Sequence, residues 1–263
     1  MGWVAALALL RIGMGYGGVP ESSATVGLSL ALTFPFCLYL FGLNDLADER
    51  SDRHNPRKGN WVHGARGPVG ETRLARYAPW AGGGVVAAFV PVLPRPSALL
   101  LAAILAIAWM YSCPPVRLKE IPIVDGLVTA FIMIGLLGVG YLAGGRTVDV
   151  PVESWAVTPC LAGLHIFASV LDVASDRQAG HRTLAVRVGP RAAGGIAWLL
   201  SVAAVGTAPF LQYAEPILAY MVLQAAVLGV WFAMPTRFPI TKAVGVLGAA
   251  GLLTLLYLAL FYV

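Results

Sequence analysis

Apolar runs long enough to cross a lipid bilayer recur along the whole sequence, and they restrict its fold more than any other feature. A helix needs about 20 predominantly apolar residues to span the hydrocarbon core. Nine segments come near that length, at approximately residues 1–19, 24–43, 74–93, 97–113, 122–144, 152–171, 192–212, 214–234 and 240–262. Only short connections lie between them. We therefore expect an all-α polytopic membrane protein of nine transmembrane helices, forming one domain over residues 1–263.

The composition supports the bilayer as the main solvent. Hydrophobic residues make up 58% of the chain and charged residues 12%, whereas soluble domains carry roughly 25% charged residues. A net charge of +5 would suggest nucleic acid as a partner of a soluble protein. In a membrane protein the placement of Lys and Arg matters more than their sum, so we expect membrane lipids and no nucleic acid as partners.

The basic residues are concentrated on one side of the predicted membrane domain. Fifteen of the eighteen follow even-numbered spans, and they are Arg50, Arg53, Arg57, Lys58, Arg66, Arg73, Arg76, Arg117, Lys119, Arg177, Arg182, Arg187, Arg191, Arg237 and Lys242. The opposite connections hold Arg95 and Arg146, and Arg11 lies inside the first span. The positive-inside rule then places the N-terminus and the even-numbered exits in the cytoplasm and the C-terminus outside, in an inner or plasma membrane.

Acidic residues cluster where spans two and six end. Five of the seven aspartates fall in NDLADERSD and DVASD. On continuing helices, Asp45, Asp48 and Asp52 share one face with Asn44, and Asp172 and Asp176 share another face at i and i+4. Corresponding features in the two halves suggest a parallel repeat around a central cavity that opens to the cytoplasm.

Clustered carboxylates repel one another and repel a diphosphate, so divalent cations are needed between protein and phosphate. Mg²⁺ prefers hard oxygen ligands and commonly binds carboxylates together with phosphate oxygens. The two clusters predict two ions, one on each side of a diphosphate. The predicted metal ligands are Asn44, Asp45, Asp48, Asp52, Asp172 and Asp176.

Basic residues beside the acidic clusters are candidates for direct contact with phosphate oxygens. They are Arg57, Lys58, Arg117, Lys119, Arg177 and Arg182. Within the spans themselves, Arg11 and His165 are the main ionisable groups. We interpret His165 as a core histidine, and Arg11 either as extending its charge to the membrane surface or as facing the cavity.

NDLADERSD and DVASDRQAGHRTLAVRVG resemble the two aspartate motifs of the UbiA superfamily of intramembrane prenyltransferases. The resemblance implies a nine-helix fold and an Mg²⁺-dependent prenyltransferase. It also implies that the acidic motif residues bind Mg²⁺ and diphosphate, that Lys119 and Arg57 lie near the phosphates, and that Tyr111 lies near the reacting carbon.

NPRKG, residues 55–59, and YSCPPVRLKEIPIVD, residues 111–125, look most like the lycopene elongases. That resemblance implies an isoprenyl diphosphate donor and a carotenoid acceptor such as lycopene, taken from the bilayer into an apolar and aromatic pocket. The sequence lacks the usual Arg-Pro start and has Ser175 before Asp176 where elongases often have Pro. An aromatic quinone precursor as acceptor and a terpene cyclase therefore stay open as alternatives, with an ion-coupled transporter as a remote one.

Overall fold

The computed structural model describes residues 2–20, 22–53, 55, 58–59, 73–146 and 151–261. Every regular element within these ranges is helical, which confirms the all-α prediction. The α-helices are α1 (Gly2–Gly17), α2 (Ser23–Ala31), α3 (Phe34–Ala47), α4 (Glu49–Asp52), α5 (Arg73–Ala87), α6 (Arg95–Ser112), α7 (Val124–Ala143), α8 (Val152–Ala156), α9 (Thr158–Ser169), α10 (Val173–Ala179), α11 (Leu184–Val188), α12 (Pro190–Gly206), α13 (Glu215–Ala233) and α14 (Ile240–Phe261).

Six helical stretches are long and apolar enough to cross a membrane. They are Ser23–Ala47, Arg95–Ser112, Val124–Ala143, Val152–Ala179, Glu215–Ala233 and Ile240–Phe261. Two shorter apolar helices, Val4–Gly17 and Pro190–Gly206, accompany them. Each of the nine predicted spans overlaps a helix, but α1, α5 and α12 have only 16, 15 and 17 residues. The chain is a membrane protein, and nine crossings stay a prediction.

The two stretches that end in acidic motifs are each interrupted near a proline. Ser23–Ala47 is divided between α2 and α3 at Leu32 and Thr33, just before Pro35. Val152–Ala179 is divided between α8 and α9 at Val157, just before Pro159. Proline lacks the N–H that would continue a helical hydrogen-bond ladder, which accounts for a break at each place.

The chain divides into two compact units. Unit 1 comprises residues 1–117, 132–150 and 258–263, and unit 2 comprises residues 118–131 and 151–257.

In unit 1, α1 packs directly against the C-terminal half of α7. Glycines recur four positions apart on both sides of this contact, with Gly13 and Gly17 on α1, Gly140 on α7 and Gly144 in the turn directly after α7. A β-carbon at Gly13 would collide with the carbonyl of Leu137, and one at Gly144 with the carbonyl of Gly17. Small residues at such spacing let helix backbones approach closely in a membrane, where van der Waals packing replaces the hydrophobic effect.

Helix α3, which carries the first acidic motif, is held in unit 1 by α5 and α6. The Tyr39 hydroxyl donates a hydrogen bond of 2.9 Å to the carbonyl oxygen of Leu105. Its ring meets Trp80 edge-on, with centroids 6.3 Å apart. Gly83 gives this ring room, because a β-carbon there would lie 2.6 Å from it. These contacts fix the helix that leads to the motif.

In unit 2, α9 is the helix against which α12 and α13 pack. Gln224 is fully buried, and its amide donates to the Cys160 carbonyl oxygen at 2.7 Å and to the Ser201 hydroxyl at 2.8 Å. One side chain therefore ties α13 to both α9 and α12. Nearer the second motif, the rings of Phe167 and Trp231 meet edge-on at 4.9 Å.

Candidate active site

The first acidic motif lies where α3 ends in unit 1. Asn44 and Asp45 occupy the last turn of α3, Asp48 is its C-terminal cap, and Asp52 ends the short helix α4. The backbone N–H groups of Asp48 and Asp52 donate to the carbonyl oxygens four residues earlier, at 2.9 Å each. The helix is therefore interrupted at Asp48, where the sequence spacing predicts a continuous one, and these hydrogen bonds span the interruption before α4 begins at Glu49.

Lys58 joins two of these carboxylates. Its Nζ lies 2.8 Å from Asp45 Oδ1 and 2.9 Å from Asp52 Oδ2. Burial raises the pKa of Asp52 above its usual value, although the Lys58 charge opposes that rise. Burial works to lower the pKa of Lys58, but its hydrogen bonds to Asp45 and Asp52, together with the charges of these carboxylates, outweigh burial and raise the pKa. The carboxylates of Asp45 and Asp52 therefore both contact the same cationic atom, Lys58 Nζ.

Arg117 performs a similar role for the third carboxylate. Its Nη2 donates to Asp48 Oδ1 at 3.1 Å and its Nη1 to the Ala47 carbonyl oxygen at 3.4 Å. The guanidinium therefore contacts both the motif side chain and the end of α3. Lys58 and Arg117, which are candidates for phosphate contact by their position in the sequence, bind the motif's own carboxylates in this structure.

The end of α6 lies beside the same motif. Ser112 Oγ is 3.5 Å from Asn44 Oδ1, and Tyr111 directly precedes Ser112 in the last turn of α6. Tyr111 is thus held in the chain segment that reaches the first motif. Arg57 lies outside the described residues.

The second motif lies in unit 2, where α9 is followed directly by a 3-10 turn and then by α10. Asp172 ends the 3-10 turn Val170–Asp172, and Asp176 lies in the first turn of α10. The Thr183 hydroxyl donates to Asp176 Oδ2 at 3.4 Å, and the His181 backbone N–H donates to the Asp176 carbonyl oxygen at 2.9 Å. The returning chain after Gly180 therefore holds Asp176.

Lys119 and Arg177 differ in their surroundings within unit 2. Lys119 is buried, with 7% of its surface exposed, in the 3-10 turn Leu118–Glu120. Oε1 of the adjacent Glu120 lies 3.0 Å from Nδ1 of His181, which is a hydrogen-bond distance. This contact connects the Lys119 turn to the loop that follows Asp176. Arg177 lies on α10 and is exposed.

One pair of ionisable residues was not foreseen from the sequence as a unit. His165 Nε2 on α9 lies 2.9 Å from Asp125 Oδ1 at the start of α7. The sequence favours a core histidine at His165, and it marks Asp125 only as the last residue of a longer motif. The signal available in the sequence was the rarity of ionisable residues inside the spans.

The carboxylates fit a metal that binds together with its substrate. In the part of the chain that the structure describes, no three His, Cys, Asp or Glu side chains form a ready-made metal site. Mg²⁺ rarely uses such all-protein cages, because it keeps waters and takes phosphate oxygens beside one or two carboxylates. The paired oxygens of Asp45 and Asp52 and the i, i+4 pair of Asp172 and Asp176 suit that use.

Comparison with known proteins gives one consistent family. A family model described as the UbiA prenyltransferase family matches residues 3–243. A lycopene elongase/hydratase of Halobacterium salinarum is 30% identical over 236 residues, which cover 84% of this chain and 81% of that protein. A lycopene elongase/hydratase of Haloarcula japonica is 31% identical over 173 residues, covering 64% of this chain and 56% of the relative's own length.

A solved structure shares the fold. A UbiA homolog from Archaeoglobus fulgidus, bound to DMAPP and Mg²⁺, superimposes with a TM-score of 0.70 at 20% identity. The match covers 96% of this chain and 95% of that one. It extends over both units of the present chain.

Proposed function

The chain belongs to the UbiA prenyltransferase family, and we propose that it transfers a prenyl group from an allylic diphosphate to a hydrophobic acceptor in the membrane. The acceptor we favour is lycopene or a related carotenoid. The family model matches residues 3–243, which supports a single prenyltransferase domain over residues 1–263.

The observation that carries this proposal is the pair of acidic motifs, each at the end of an apolar helical stretch. In the first, Asp45 and Asp52 already converge on a single cationic atom. In the second, Asp172 and Asp176 are spaced one helical turn apart. A transporter that couples to ions is disfavoured, because its acidic residues belong near the middle of the bilayer at helix breaks.

We assign the diphosphate of the donor to these motifs. Asn44, Asp45, Asp48 and Asp52 would hold one Mg²⁺, and Asp172 and Asp176 would hold a second. When bound, Mg²⁺ would neutralise the charge that develops on the diphosphate as its C–O bond breaks. The related Archaeoglobus fulgidus protein was solved with Mg²⁺ and DMAPP, a five-carbon donor of the proposed class.

The basic residues would have two tasks. Before substrate binds, Lys58 and Arg117 neutralise the carboxylates of the first motif, at 2.8 to 3.1 Å. With substrate bound, the same cations, with Arg57, Lys119 and Arg177, would contact phosphate oxygens and stabilise the leaving group. Tyr111 would face the allylic carbon from the end of α6, where its ring can stabilise passing positive charge.

A carotenoid acceptor is supported by the names of the relatives and by the apolar character of the spans. An olefinic hydrocarbon needs packing area and no polar anchor. Phe131 and Trp155 in unit 2, with ring centroids 6.3 Å apart, offer aromatic surface of this kind, while Phe36 and Tyr39 are buried in the packing of unit 1. An aromatic acid would instead need a cation such as Arg11, which lies within α1 and is half-buried.

A competition assay separates the acceptors. Purified protein in lipid nanodiscs receives dimethylallyl diphosphate, Mg²⁺ and equal amounts of lycopene and 4-hydroxybenzoate. We expect lycopene to gain prenyl units and the benzoate to remain unchanged. Preference for the benzoate, especially one lost in Arg11→Ala, would reject the carotenoid assignment. Cyclised donor with neither acceptor changed would instead indicate a terpene cyclase.

A further inference from the structure

A buried carboxylate and a histidine form a pair inside the membrane-spanning part of unit 2. Asp125 Oδ1 and His165 Nε2 are 2.9 Å apart, the distance of a hydrogen bond. The pair depends on close packing of α7 on α9 at the neighbouring Gly126. A β-carbon there would lie 3.1 Å from both the Ala162 carbonyl oxygen and the Ile166 side chain. Charged or ionisable groups in such a place are costly and usually serve function.

The pair lies deeper along the same helical stretch as the second acidic motif. His165, Asp172 and Asp176 are at i, i+7 and i+11, which places them on one side of the stretch apart from a small shift at the 3-10 turn. Seven residues of helix correspond to about 10 Å along the axis. That length is comparable with a diphosphate and the first carbons attached to it.

Exposure distinguishes the two members of the pair. The His165 side chain is 28% exposed, whereas the Asp125 side chain is 5% exposed. The imidazole is therefore the member of the pair with more of its surface open to contact, and the carboxylate is the more deeply buried member. If Nε2–H donates to the Asp125 carboxylate, the second ring nitrogen, Nδ1, carries the lone pair. A carboxylate so placed fixes the tautomer and stabilises the imidazolium that forms when Nδ1 takes up a proton.

We infer that His165 is the base that removes the proton which ends the transfer reaction, and that Asp125 positions and stabilises it. This inference rests on the proposed function. The C–O bond of the donor breaks and diphosphate leaves with the electron pair. The terminal double bond of the acceptor then supplies two electrons to the new C–C bond, leaving a cation on its other carbon. Loss of a proton from the adjacent carbon to His165 Nδ1 forms the product double bond.

Without a base at that position, the cationic intermediates have other fates. Water can capture the acceptor-derived cation and give a tertiary alcohol, or it can capture the allylic cation first and give the free prenyl alcohol. A base that acts on proton loss therefore controls how products are distributed. A residue that only supports the fold changes the rates of all products together.

The experiment measures product distribution in His165→Gln, whose amide can still donate to Asp125. Protein in nanodiscs is supplied with dimethylallyl diphosphate, Mg²⁺ and lycopene, and the olefinic product, both alcohols and released diphosphate are quantified together. We expect the ratio of olefinic product to diphosphate to fall about tenfold. This is less than the rate effect usually seen when a general base is removed, because a carbocation readily loses a proton. Asp125→Asn, which keeps an acceptor for Nε2–H, should shift the distribution in the same direction by a smaller factor.

His181→Gln is the matched control, since His181 also pairs with a carboxylate in unit 2, at 3.0 Å. Its product ratio should equal that of the wild type, even if its rate differs. An unchanged ratio in both His165→Gln and Asp125→Asn, or a proportional loss of every product including diphosphate, would overturn the inference. Absence of prenylated lycopene with the wild-type protein would instead refute the proposed function.

Discussion

At the first motif, each of the three aspartate side chains forms an ion pair with a basic side chain. Lys58 serves Asp45 and Asp52, and Arg117 serves Asp48. Nearby, Glu49 and Arg53 form a more exposed pair at 2.7 Å that belongs to α4 and its end alone. Between Asp45 and Lys58 the chain therefore contains both carboxylates proposed to act in the reaction and a nearby ion pair, Glu49 with Arg53, that can serve as a control.

Replacement of one carboxylate in either acidic motif, Asp48 in the first or Asp176 in the second, should remove most Mg²⁺-dependent turnover. In Asp48→Asn or Asp176→Asn the shape is kept but a ligand charge is lost, so we expect kcat to fall about 10²–10³-fold, as when one transition-state contact is removed. Diphosphate release from purified protein measures this. Glu49→Gln should stay near the wild-type rate. Near-normal rates in both aspartate variants would refute the metal assignment.

Lys58→Met should weaken folding as well as donor binding. It leaves the carboxylates of Asp45 and Asp52 without their cation, which we expect to cost about 1–3 kcal/mol, below the cost at a fully buried pair because these side chains keep 10–19% exposure. Unfolding in mixed micelles measures it. Arg53→Met, at a pair whose arginine is 54% exposed, should cost less than about 1 kcal/mol.

The pH dependence of Lys58→Met gives a further check. Burial already raises the pKa of Asp52, and loss of the Lys58 charge removes a group that opposes the rise. A carboxylate whose folded pKa lies above its unfolded pKa stabilises the fold most at low pH. The deficit of Lys58→Met relative to the wild type should therefore shrink as pH falls through the raised Asp52 pKa. A deficit independent of pH would contradict this account of the pair.

Among the helices of unit 1, α1 and α7 are packed with their backbones in close contact at glycine residues. Gly140 on α7 lies against α1, where a β-carbon would be 2.8 Å from the Met14 nitrogen. Gly248 on α14 has nothing within 4 Å of an added β-carbon. The same substitution at the two sites therefore separates packing from helix propensity.

Gly140→Ala should destabilise the protein by about 1–3 kcal/mol, because a packed helix pair must separate to admit the methyl group. Gly248→Ala should be neutral or slightly stabilising, since alanine is the better helix former. Thermal unfolding in detergent compares them. Equal effects at both glycines would show that the α1–α7 contact does not limit stability.

Periodicity and motif spacing could predict the helices and the acidic ends, because both depend on residues close together in sequence. The interruptions before Pro35 and Pro159 were signalled by the prolines, yet length alone suggested unbroken spans. The contacts of Lys58 with Asp45 and of Asp125 with His165 join residues 13 and 40 positions apart. Such contacts depend on how helices pack, which a local pattern does not contain.

At the scale of the whole molecule, the distribution of basic residues predicts the orientation in the membrane. Fifteen of eighteen basic residues follow even-numbered predicted spans, and cytoplasmic connections are enriched in Lys and Arg. A reporter fused after Gly59 should therefore be cytoplasmic and one fused after Tyr213 external. The opposite readings would overturn the predicted topology and with it the cytoplasmic position of both acidic motifs.

If this chain prenylates a carotenoid at its two acidic motifs, the carotenoids of lycopene-producing cells should gain mass when the protein is expressed. With the wild-type protein expressed, lycopene should gain the mass of one or two prenyl units, and Glu49→Gln should give the same products. Asp48→Asn and Asp176→Asn, present in the membrane at equal amounts, should leave lycopene unchanged. Unmodified lycopene with the wild-type protein, or equal modification with both aspartate variants, would contradict the account.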